Sequence, residues 1–89
     1  MEFYYTYVMY DKIKDKFYIG YTANLKQRIS QHKSHNSHTS KRLKNLNLVY
    51  YEACLTEKDA REREKQLKTG FGRGYLRKRL GLTIKNKPR

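Results

Sequence analysis

The chain has 89 residues, 21 of them Lys or Arg against 8 Asp or Glu, for a formal net charge of +13. With 37% hydrophobic and 13% aromatic residues it is too apolar for a disordered polycation, and its length suits one small domain with a modest core. The one cysteine, Cys54, rules out an intramolecular disulfide and any Cys₂His₂ or Cys₄ zinc site within a monomer, and no apolar run approaches the length of a membrane span.

In chain order, residues 3–10 are aromatic and β-branched throughout and predict a strand. A polar turn over 11–16 leads to a second strand over 17–22, so the two form an antiparallel hairpin. Gly20 inside the second strand predicts a bulge or a close backbone approach. Asn24 suits a helix N-cap, and Leu25, Arg28, Ile29 and His32 then fall on one helical stripe. A polar loop over 34–40 and a short helix over 41–46 precede a third strand over 48–53. Thr56 with Asp59 resembles a capping box and opens a helix running to about Lys68, on which Ala60, Glu64, Leu67 and Lys68 share a face. Gly70, Gly72 and Gly74 predict a turn with exposed amides beside Arg73, followed by a short basic helix over 75–80. The expected fold is α+β, a three-stranded antiparallel sheet backed by helices in the order β-β-α-β-α-α, with one domain over 1–84 and a basic tail over 85–89.

The placement of charge says more than its total. The eight acids stand at positions 2, 11, 15, 52, 57, 59, 62 and 64, so 16–51 and 65–89 carry none. Two cationic stretches around a short acidic interval read as a groove for phosphates, which makes nucleic acid the first partner to expect and an anionic membrane the least. Glu2, Asp11 and Asp15 stand where a signal peptide would be apolar, so the expected location is cytoplasmic, with no membrane and no obligatory protein partner.

Three residues break the apolar stripes. Arg28 and His32 lie beside Leu25 and Ile29, and Glu64 lies between Ala60 and Leu67. A charge set against a core is costly unless it is paired or coordinates something. The alternatives are an internal Arg28–Glu64 ion pair, solvent-facing groups at a stripe edge, or a working site. His32, His35 and His38 do not complete a metal site, because no second cysteine joins them and no helical face carries all three.

These residues carry a pattern. Tyr5-Thr6-Tyr7, then Tyr18-Ile19-Gly20, then Arg28 and His32 on the next helix and Glu64 on a later one, resembles the GIY-YIG nuclease family, in particular its small single-domain members. The resemblance implies endonucleolytic phosphodiester hydrolysis with one divalent ion, Mg²⁺ or Mn²⁺. It implies that Tyr7 is the general base or orients the nucleophile, that Tyr18 is the second catalytic tyrosine, and that Arg28 holds the scissile phosphate. Glu64 would be the metal-ligating carboxylate, His32 a proton-handling neighbour, and His38 a second histidine. Tyr5 and Thr6 replace the glycine and isoleucine of the family pattern, and the asparagine many members carry downstream of the glutamate has no counterpart. Arg42, Lys68, Arg73, Arg77, Lys78 and Arg79 are expected to contact phosphates outside the active site of a DNA endonuclease of low sequence specificity. The alternative is a non-catalytic nucleic-acid-binding module that retains the same fold.

Overall fold

The computed structural model describes residues 2–33 and 46–85. Its elements are β1 (Tyr4–Asp11), β2 (Lys16–Thr22), α1 (Leu25–Lys33), β3 (Leu46–Cys54), α2 (Glu57–Leu67), α3 (Gly70–Arg79) and α4 (Gly81–Lys85). The strands form one antiparallel sheet in the order β2-β1-β3, so the most buried strand is the central one. The α+β class and the element order agree with expectation.

The alternation of β1 divides its side chains between two layers. Val8 and Tyr10 join Phe17, Leu67, Leu76 and Leu80 in one core, with Ile19, Val49, Tyr50 and Ile84 packed against it. Tyr7 and Met9 join Leu46 in a second cluster, against which Leu25 and Ile29 of α1 pack. Helices therefore cover both faces, α1 on the Tyr7 side and α2 to α4 on the Val8 side. Thr6 is completely buried on the latter side, and its hydroxyl donates to the Ala60 carbonyl at 2.7 Å. A buried hydroxyl without a partner would be costly. Here it joins β1 to α2 one turn before Glu64, at the position where the family pattern has an apolar isoleucine.

Caps and turns set the local geometry. The Asp11 carboxylate accepts from the Ile13 and Lys14 amides and closes the β1–β2 turn. Asp15 in that turn has φ of 55°, a left-handed conformation uncommon for a side-chain-bearing residue. Tyr10 donates to its carboxylate and Arg77 of α3 binds both its carboxylate and its carbonyl. Asn24 caps α1 by accepting from the Gln27 amide, and Thr56 caps α2 by accepting from the Asp59 amide, both at N3.

Several expectations need correction. Residues 70–74 are not a turn but the first part of α3. Thr69 accepts from the Gly72 amide, and the Arg73 amide bonds the Thr69 carbonyl, so these amides are not left exposed. A Cβ at Gly72 would stand 2.3 Å from Leu67 Cα and 2.4 Å from the Gln66 carbonyl oxygen. Tight packing of α3 onto the end of α2, together with the Thr69 cap, offsets the roughly 1 kcal/mol that each glycine costs a helix. Leu46 opens β3, opposite Asp11, rather than ending a short helix. Lys85 closes α4, a helix not anticipated, whose Ile84 amide bonds the Leu80 carbonyl. The loop at 34–40, the rest of the helix expected over 41–46, and residues 86–89 lie outside the described residues.

Candidate active site

Tyr7 sits near the middle of β1, opposite Gly20 of β2, and its side chain lies across that glycine. A Cβ built on Gly20 would meet the Tyr7 hydroxyl oxygen at 2.6 Å and Cζ at 2.8 Å. Gly20 does not have a positive φ, so glycine is required there for room rather than for backbone freedom. The spacing of the two tripeptides follows from this contact: the antiparallel register puts the last residue of the first opposite the last residue of the second.

Arg28, Glu64 and Lys68 all act electrostatically on Tyr7. Burial is the largest influence and raises the phenol above its ordinary value; Arg28 lowers it, Glu64 raises it and Lys68 lowers it. The net direction is upward. Desolvation of the charged form thus outweighs the two neighbouring cations, even in a chain this basic.

Glu64 lies on the α2 face between Ala60 and Leu67, both fully buried, and its side chain is 18% exposed. Its ion pair is with Lys68 Nζ at 2.9 Å, four residues on, and not with Arg28. The sequence reading placed Lys68 outside the active site, whereas in the fold its charge pairs with Glu64 and also acts on Tyr7. The Glu-x-x-x-Lys spacing was the available signal, since residues four apart on a helix are neighbours. Arg28 is exposed on α1, one turn beyond Leu25, which packs against the Tyr7 cluster. Three of the expected site residues, from α1 and α2, thus act electrostatically on a fourth, Tyr7 of β1.

Lys68 also opens onto a groove of about 330 Å³ lined by Phe17, Tyr18, Ile19 and Arg73. Tyr18 projects from the edge strand β2 at 36% exposure, with Lys16 Nζ over its ring. Arg73 folds back to bond the Lys68 carbonyl at 3.1 Å. Tyr18, Lys68 and Arg73 therefore form a second group beside the first. Arg77 stands apart, with its guanidinium on Asp15 and over the Phe17 ring. Lys78 and Arg79 are exposed in the last turn of α3. The His32 side chain, His35, His38 and Arg42 lie outside the described residues.

The other acids near this region are structurally engaged. Glu52 of β3 takes Arg63 of α2 in a forked pair at 2.9 and 3.0 Å and accepts from the Tyr50 hydroxyl at 2.7 Å. Burial pushes the Glu52 carboxyl up, but the hydrogen bonds from Arg63 and Tyr50 with the Arg63 charge prevail and hold it low. Glu57 and Asp59 occupy the first turn of α2, where the helix dipole favours them.

Among the described residues no three His, Cys, Asp or Glu side chains converge. Among the described residues, what the site offers a cation is the carboxylate of Glu64, whose partner Lys68 lines the groove. That donor set fits a hard ion such as Mg²⁺ or Mn²⁺, which is held by one or two carboxylates and keeps its remaining positions for water and substrate phosphate. It does not fit a structural zinc, which needs four protein ligands.

Among the described residues no helix is long and apolar enough to cross a membrane. The family model described as the GIY-YIG catalytic domain matches residues 3–78, a span that takes in Tyr7, Tyr18, Arg28 and Glu64. Comparison with curated proteins and with solved structures gave no match.

Proposed function

The chain belongs to the GIY-YIG family, whose members are endonucleases generally dependent on a divalent metal, and from that premise we propose that it hydrolyses phosphodiester bonds in DNA with low sequence specificity, using Mg²⁺ or Mn²⁺. The observation that carries this reading is that a guanidinium from α1 and a carboxylate from α2 both act electrostatically on the buried Tyr7 phenol of β1, beside a cationic groove.

The chemistry divides among named groups. Arg28 binds the non-bridging oxygens of the scissile phosphate, where negative charge grows as the attacking oxygen adds; its fork of donors is suited to that geometry. The Tyr7 oxygen orients the attacking water and, as phenolate, takes its proton. The new bond forms between the water oxygen and phosphorus, and the bond to one ester oxygen breaks, with that oxygen leaving and taking up a proton. Tyr18 contacts the phosphate from the β2 edge, and His32 and His38 assist proton handling. Glu64 holds the divalent ion, which when bound supplies Lewis-acid stabilisation of the leaving oxygen. Lys68 and Arg73 extend phosphate contact along the groove. Arg42, Arg77, Lys78 and Arg79 add sequence-independent attraction.

Burial and the Glu64 carboxylate raise the Tyr7 phenol, while Arg28 and Lys68 lower it, so the charge left on Glu64 bears on how readily Tyr7 gives up its proton.

The test is incubation with branched, nicked, single-stranded and duplex DNA, and with RNA counterparts, in Mg²⁺ and in Mn²⁺. Cleavage of DNA by the wild type and its loss in Glu64→Gln support the reading. Absence of cleavage on every substrate, with salt-sensitive binding that E64Q leaves intact, would instead establish a binding module; preferential cleavage of RNA would reassign the substrate.

A further inference from the structure

Resting on the reading of Glu64 as the cation ligand, we propose that Lys68 is a positioning residue with two stations. Its ammonium occupies the Glu64 carboxylate while no divalent ion is bound, and turns into the groove beside Tyr18 and Arg73 to hold a substrate phosphate when one is. Cation and nucleic acid then bind cooperatively through a single side chain.

The two partners of this ion pair differ in freedom. The Glu64 side chain is 18% exposed and that of Lys68 is 55% exposed, so the carboxylate is the fixed member and the ammonium the movable one. The Lys68 backbone is held on both sides: its amide bonds the Glu64 and Lys65 carbonyls at 3.2 and 3.3 Å, and its carbonyl accepts from Arg73. Motion is thereby confined to the side chain, which pivots about a fixed Cα.

The first station cannot outlast ion binding. Nζ stands 2.9 Å from Glu64 Oε2, and a divalent ion coordinated by the same carboxylate would bring like charges to within about 4 Å, a repulsion well above thermal energy at a protein surface. The pair that must break is a partly exposed one between residues four apart, a weak class of ion pair. The second station is already built, since Lys68 forms part of the groove wall with Phe17, Tyr18, Ile19 and Arg73. There Lys68 joins Arg73 in lining the same space, and two cationic side chains beside one groove favour a phosphate in it.

By linkage, an ion that frees Lys68 raises the affinity for phosphate, and bound phosphate that holds Lys68 away raises the affinity for the ion. The sense is opposite to simple competition between cations.

The experiment uses the full chain and Mn²⁺ as probe, with free Mn²⁺ followed by electron paramagnetic resonance in the absence of nucleic acid. Lys68→Met is expected to bind Mn²⁺ about two-fold more tightly than the wild type, the scale an ion pair between residues four apart on a helix supports, and Lys68→Arg is not. Binding of a phosphorothioate single-stranded oligonucleotide, which resists cleavage, is then measured with and without Mn²⁺. The wild type gains affinity on adding Mn²⁺, and K68M shows a smaller gain. Mn²⁺ affinity in K68M equal to or below the wild type overturns the first station. An undiminished Mn²⁺-induced gain in K68M overturns the second. Glu64→Gln separates the premise from the proposal: if E64Q binds Mn²⁺ as the wild type does, Glu64 is not the ligand and the reading beneath the proposal fails.

Discussion

Gly20 provides the floor on which Tyr7 rests. The phenol lies across the glycine so closely that a single added methyl group would fall 2.6 Å from its hydroxyl oxygen. The two residues face each other in the register of neighbouring strands, and in that seat Tyr7 lies within the electrostatic influence of Arg28, Glu64 and Lys68.

Gly20→Ala is therefore expected to damage activity more than stability. The obstructing atoms belong to the far end of a side chain, so the ring moves aside at an overpacking cost of about 1–3 kcal/mol. A displacement of about 1 Å in a reacting group can lower a rate roughly 10²-fold. Denaturant unfolding and cleavage rates measured on the same preparation separate the two effects. In a Tyr7→Phe background the alanine substitution should cost little further activity; an equal additional loss would mean that Gly20 acts elsewhere.

Arg28→Lys keeps the charge and loses the planar fork. Because Arg28 is exposed on α1, the substitution is expected to leave stability within about 0.5 kcal/mol of the wild type. The cleavage rate should fall about 10²-fold, the scale of losing one donor to a developing oxyanion. Single-turnover rates at saturating substrate test this. A lysine variant as fast as the wild type would show that positive charge suffices without the fork.

The raised phenol of Tyr7 sets a pH dependence. With Tyr7 as the proposed base the active form is the deprotonated one, and its pKa lies above the ordinary tyrosine value, chiefly through burial, so the rate should climb with pH from neutrality into the alkaline range without reaching a plateau there. A logarithmic rate rising by about one per pH unit is the expected profile, and Tyr7→Phe should flatten it. A plateau near neutral pH in the wild type would assign the base to another group.

Tyr10 governs alkaline stability. Burial and its hydrogen bond to Asp15 push its phenol up to about 12. Between the ordinary value near 10 and that raised value, the unfolded chain has released the proton and the folded chain has not. Stability from this group is thus fully present below pH about 10 and is lost as pH rises toward 12. Tyr7 and Tyr50, also raised, act in the same direction. Tyr10→Phe should lower stability at neutral pH by about 1–3 kcal/mol through loss of a hydrogen bond to a charged acceptor, and should weaken the alkaline decline. Urea melts at a series of pH values read both effects; an unchanged alkaline slope would exclude Tyr10 as its source.

What the sequence by itself determined is the local and the periodic. Alternation in β1 assigned Tyr7 and Met9 to one face and Thr6, Val8 and Tyr10 to the other, and the Leu25–Ile29 spacing gave α1 its packing stripe. Thr56 with Asp59 marked the start of α2, Arg28, His32 and Glu64 stood out because charge interrupted apolar stripes, and Tyr7 was singled out by the family pattern. Tertiary structure alone decided what required distance between separated segments. It seated Tyr7 on Gly20, bonded Thr6 to Ala60, and tied Arg77 to Asp15 across the molecule. It also made a helix of Gly70–Arg79, where the glycines argue for a turn, since Gly72 can lie on the Leu67 backbone only without a side chain. Most consequentially, it raised the Tyr7 phenol in a chain of net charge +13. A count of cations predicts the opposite, but a group's pKa responds to its own desolvation and near neighbours, and burial exists only once the sheet and helices have closed around it.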